Sequence, residues 1–180
     1  MLHLANTELT VDLLDPHAPA ERERQGTRYC WGGYIWQVHD RAAGPLLAGC
    51  EWPNPTPSAF NGQGLPESFR HAELGTGRPL LLTENRGFII GVGDVAPGPA
   101  GLAIMAPCRW TVTTSDHALE FSTVQQNADY ACRLMRRIEL SGRELISTTR
   151  LTNTGARSMP LATTISPAPT GPVSPGSDAT

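Results

Sequence analysis

The chain of 180 residues carries 17 acidic and 14 basic side chains, a net charge of -3 and a pI near 5.9, which leaves no basic footprint for a nucleic acid or an anionic membrane surface. Its length suits one domain with a real core rather than two, and 18 Gly with 16 Pro make long helices scarce. Every basic residue is an arginine, as a high-GC coding sequence would give, and the arginines share no spacing that would mark guanidinium chemistry.

In chain order, the opening "MLHLANTELTVDLLDP" lacks a positive region followed by an apolar core, so no signal peptide is expected. Within it, residues 9–15 alternate as a first strand. Residues 16–26 are charged and rich in breakers, and are expected as a connection, with "AERER" able to make one helical turn. "GYIWQVHD" (33–40) reads as a strand. Residues 49–79 form a long irregular stretch, of the kind that is functional or disordered in a compact domain, with Phe60, Leu65, Phe69 and Leu74 placed to pack it down.

Residues 79–95 hold an apolar run, a turn at 85–87 and then "FIIGVGDV". Residues 109–126 form two alternating runs about Ser115-Asp116-His117, a hairpin signal. "YACRLMRRIEL" (130–140) sets Tyr130, Cys132, Leu134, Ile138 and Leu140 on one face, broken only by Arg136, with Arg133, Arg137 and Glu139 on the other. After the Ser141-Gly142 turn, residues 144–155 pair back. Four successive antiparallel strands with one polar face predict an all-β fold. From Pro160 the pattern dissolves, so the expected division is a β-domain over 1–160 and an irregular tail over 161–180. That tail is read as either the product of a shifted reading frame or a native disordered segment.

Few motifs carry chemistry. "GVG" at 91–93 lacks the glycine spacing and following helix of a phosphate loop, and reads as a bend in a strand. Cys30, Cys50, Cys108 and Cys132 are scattered, and His3, His17, His39, His71 and His117 share no ligand spacing, so neither a metal nor a cofactor is expected. Trp36 and Trp110 are expected in the core, while Trp31 and Trp52 stay open between core and sugar stacking. "GLPESFRH" crowds Glu67, Arg70 and His71 into one loop, where Glu67 would accept a substrate hydroxyl or serve as general base. The bland alternative is a solvated loop.

Three segments together resemble the aldose 1-epimerase (galactose-mutarotase-like) superfamily, in particular an uncharacterised epimerase-like branch of it. They are "GTRYCWGGYIWQVHD" (26–40), "GQGLPESFRHAELGTGRPLLLTENRGFIIGVGDV" (62–95) and "YACRLMRRIELSGRELISTTRLTNTGARSMP" (130–160), spanning about residues 20–160. Cys30 stands where that branch has aspartate, and no lysine precedes Ile90. The resemblance implies a galactose-mutarotase-like β-supersandwich, incomplete at the C-terminus, that binds a monosaccharide or sugar derivative. The expected substrate-binding residues are Arg28, Glu67, Arg70 and His71.

The superfamily's catalytic glutamate and histidine, which interconvert sugar anomers by acid/base chemistry, have no counterpart in the matching residues. An isomerase by resemblance is therefore expected to be inactive as this chain stands. The alternatives are a small lectin-like sandwich without catalysis and a β-domain completed by a partner chain. No run approaches the length of a membrane span, a cytoplasmic location is expected, and the edge strand after residue 144 invites self-association.

Overall fold

The computed structural model describes residues 1–49, 51, 54, 62–71, 80–83, 86–99, 101–128, 130–159 and 161–165, with 23, 24, 70, 71, 80–83 and 161–165 described by their backbone alone. The first sheet is four-stranded and antiparallel, with β1 (Leu2–Ala5), β2 (Leu9–Leu13), β3 (Ile35–Asp40) and β4 (Gly44–Pro45) in that order. β1 escaped the sequence reading, although Asn6 marks its end. The Asn6 side-chain oxygen accepts the amides of Glu8 and Leu9 at 2.9 and 2.8 Å, the local turn chemistry that Asn supplies. Between β2 and β3, the expected single helical turn is the seven-residue helix α1 (Pro19–Gln25), with its proline at the start, where a missing N–H costs nothing.

Part of the irregular stretch is also regular: Glu67–His71 is β5. A second sheet runs β6 (Leu80–Thr83), β7 (Arg86–Ile89), β8 (Gly93–Gly98) and β9 (Gly101–Pro107) in order. The "GVG" bend is here a turn between β7 and β8. Gly91 has φ +76, and a Cβ on it would fall 2.3 Å from Cys30 Sγ, so only glycine fits.

The meander predicted from alternation is present as β10 (Thr111–Thr114), β11 (Ala118–Gln126), β12 (Ala131–Ser141) and β13 (Glu144–Asn153), each antiparallel to the next. Gly142, at φ +56, and Arg143 make the tight β12–β13 turn. On β12 the residues Cys132, Leu134, Arg136, Ile138 and Leu140 are all buried, as the period of two requires.

The expected irregular tail needs correction in its first part. Leu161–Ile165 is a strand, β14, paired antiparallel with β5, Leu161 opposite His71 and Ile165 opposite Glu67. The reason is compositional: these five residues contain two threonines and an isoleucine, which favour extended backbone, and no proline. This pairing counts against both readings of the tail over those residues. Residues 166–180, where Pro and Gly begin to cluster, lie outside the described residues.

The β1–β4 and β10–β13 sheets face one another across one core. Leu4, Leu9, Val11, Leu13, Ile35 and Val38 from the first meet Leu119, Phe121, Cys132, Leu134, Ile138 and Leu140 from the other, with Phe69 of β5 and Phe88 of β7 between. Each such side chain contributes about 1.5–3 kcal/mol on burial. At one end, Arg143 in the β12–β13 turn donates to Asp40 at the end of β3, and Asp40 also accepts the amides of Ala42 and Ala43. The all-β, antiparallel, sandwich-like character is thus established.

Candidate functional site

Glu67 opens β5 and its side chain points into the core, where it is only 2% exposed. Its Oε2 lies 2.8 Å from Arg136 Nε and accepts the Thr149 hydroxyl at 2.8 Å. Arg136 is the one charged residue in the apolar row of β12, and this pairing is why it stands there. Its other nitrogens donate to the Gly32 carbonyl at 2.8 Å and reach the Ser147 hydroxyl at 3.5 Å. The Cys30 thiol sits in the same cluster, against the Gly32 carbonyl at 3.6 Å, and burial pushes it up to about 11. The Glu67 carboxylate, the candidate general base, is thereby committed to holding β5 against β12 and β13. A buried pair with so many hydrogen bonds fixes register, and breaking it is costly.

The other expected binding residues do not gather with Glu67 around an open space. Arg28 is exposed, with its guanidinium over the Tyr29 ring at 5.0 Å. Arg70 and His71 follow on β5, with their side chains outside the described residues. Trp36 and Trp110 are in the core as expected, and so is Trp31; Trp52 lies outside the described residues.

The histidines show a grouping that spacing alone could not reveal. Strand register places His3 opposite Asp12, and Asp12 lies between it and His39, with His3 Nδ1 at 2.8 Å and His39 Nε2 at 3.1 Å from its two oxygens. Among the described residues no three His, Cys, Asp or Glu side chains are arranged to hold a metal ion. No helix there is long and apolar enough to cross a membrane.

An open groove with polar groups on a largely apolar lining lies elsewhere. Arg86 at the start of β7, Asp94 on β8, Met105 on β9, Gln126 at the end of β11 and the following Asn127 line a groove of about 490 Å³. Its walls are locked together by Gln125, buried beside it, which accepts the Gly91 amide at 2.7 Å and donates to the Ile89 carbonyl at 3.0 Å. Arg86 and Asp94 are exposed, and Met105 is 60% exposed. A carboxylate, a guanidinium and the Gln126 amide beside a thioether and the Val95 side chain give acceptors and donors for hydroxyl groups next to apolar surface, while the Asn127 side-chain oxygen accepts the Tyr130 amide at 2.8 Å. None of these residues stood out in the sequence. They come from four strands, and only the pairing of β7, β8 and β9 and the end of β11 assembles them. Comparison with protein-family models, with curated proteins and with solved structures gave no match to this chain.

Proposed function

We propose that the chain is a carbohydrate-binding β-protein of the aldose 1-epimerase-like kind, built on a galactose-mutarotase-like supersandwich. It holds a monosaccharide or sugar derivative without opening its ring. The observation that carries this reading is the groove of Arg86, Asp94, Gln126 and Asn127 beside Met105, whose polarity suits a pyranose with hydroxyls on its rim and C–H bonds on its face. The absence of catalysis is supported by the state of Glu67, whose carboxylate faces Arg136 and Thr149 rather than open space. A group able to take and return a proton contributes about 10²–10⁴-fold to rate and must reach the substrate. The free thiols of Cys30, Cys108 and Cys132 accord with a reducing, cytoplasmic setting.

Isothermal titration with glucose and galactose, joined to polarimetry of freshly dissolved sugar, tests the reading. Saturable binding that Asp94→Asn weakens about tenfold or more is expected, as for a hydrogen bond to a charged group, with no acceleration of mutarotation. Absence of binding removes the carbohydrate reading, and clear acceleration removes the non-catalytic one.

A second reading, a β-domain completed by another β-edge, is favoured by β13. It is the edge of its sheet, and on its core side Leu145 and Leu151 are half-buried while Ser147 and Asn153 are exposed. Among the described residues no strand pairs with its outer edge, and backbone groups open in this way support self-association through it. Light scattering after size exclusion distinguishes a monomer from a dimer built this way.

A further inference from the structure

The solvent face of the β10–β13 sheet divides its charge unevenly. Near the β12–β13 turn, Arg137 lies opposite Glu120 and donates to Glu139 at 2.9 Å, so the one base there is matched by acid. Toward the other end of the same face, Arg133 lies opposite Val124 and Thr152, and Arg150 lies opposite Met135. The two arginines are therefore diagonal neighbours, close enough for long side chains to meet. Neither belongs to any ion pair among the described residues. Like charges so placed repel, and nothing in the fold requires them.

They also shape a recess. Arg133, Met135, Arg150, Thr152 and Thr154 line a groove of about 350 Å³ with two guanidiniums, two hydroxyls and no carboxylate. Thr154 also lines a further groove with Gln126 and Asn127, two residues of the proposed sugar groove, so the recess and that groove occupy neighbouring stretches of surface.

We propose that the recess binds an oxyanion (phosphate, sulfate or carboxylate) carried by the sugar. Guanidinium forks match oxyanions in two-point hydrogen bonds, and the threonine hydroxyls add donors. The sugar part rests on the carbohydrate reading above; the anion part rests on the arginine pair alone.

The test titrates the protein with inorganic phosphate, glucose, glucose 6-phosphate and glucuronate at low salt, in the wild type, in an R133Q/R150Q double variant and in R137Q as a control. All three arginines are on the solvent face, so the variants fold, which thermal melts verify. Glucose 6-phosphate or glucuronate is expected to bind at least tenfold more tightly than glucose, with the stronger of the two identifying the oxyanion. The gain should vanish in R133Q/R150Q, persist in R137Q, and shrink as salt rises. Equal affinity for charged and neutral sugars overturns the proposal, as does a gain that survives R133Q/R150Q. Inorganic phosphate bound through Arg133 and Arg150 with no contribution from an attached sugar upholds the anion recess and removes the carbohydrate reading. Glucose bound without any phosphate effect does the reverse.

Discussion

The two faces of the β10–β13 sheet treat arginine in opposite ways, although Arg133 and Arg136 are neighbours on one strand. Arg136 faces inward, 3% exposed, with Glu67, Thr149, Ser147 and the Gly32 carbonyl around it. Arg133 faces outward beside Arg150 with no carboxylate at hand. A buried charge has to be matched within the fold, because desolvation makes an unmatched one prohibitive. An exposed charge is matched by water and can be kept for a ligand. The inner arginine therefore belongs to stability, and the outer pair is placed to serve the anion binding proposed above.

The largest expected effect comes from breaking the inner match. Arg136→Met leaves Glu67 buried alone and should cost about 3–5 kcal/mol in urea unfolding. The double change Glu67→Leu with Arg136→Met should recover most of that loss. A single change that costs under about 1 kcal/mol would mean that Glu67 and Arg136 are not paired in the interior. A smaller loss is expected from Gly91→Ala, which forces a side chain into positive φ and onto Cys30 Sγ. It should exceed about 1 kcal/mol, and an unchanged melt would relocate that turn.

Alkaline pH probes the same interior. The Cys30 thiol, at about 11 in the fold against an ordinary 9.0, stays protonated there while the unfolded chain ionises first. The unfolded state then binds fewer protons, so this contribution is full below pH 9, falls as pH rises and is gone above about 11. Cys108, which burial pushes up to about 12, acts in the same direction. Urea midpoints measured from pH 8 to 10.5 should decline, and less so in Cys30→Ala; parallel curves would show that the thiol is not buried. The smallest effect belongs to the outer face: R133Q/R150Q should leave stability within about 0.5 kcal/mol of wild type or slightly above it, since it removes a repulsion. A large loss would show that the pair holds the sheet together.

The sequence made the inner face of this sheet legible and left its partners obscure. Strict alternation over 109–126 and 130–155 placed β10 to β13 and named the buried row of β12, because a half-solvated strand writes its burial in every second residue. Arg136 was visible as a break in that row. Glu67 was visible as a charged residue in a crowded loop. Their pairing was not, since β5 and β12 meet only through tertiary packing. The groove of Arg86, Asp94 and Gln126 was hidden for a similar reason: β7 has four residues and turns through Gly91 into β8, and its residues meet Gln126 of β11 only through tertiary packing. β14 was masked by the proline-rich residues that follow it.

The pairing of β14 with β5 also sets a timetable. Their residues are about a hundred positions apart, and although closing so long a loop costs only ~0.6 kcal/mol more per doubling of length, neither strand can find the other until both exist. The hairpins from β10 to β13 close locally, each in about 1–10 μs. On a ribosome adding about 5–20 residues per second, β5 waits roughly 5–20 s after synthesis for its neighbour. Through that interval its open edge is exposed to any other nascent chain, and a chaperone that shields extended backbone has a clear window there.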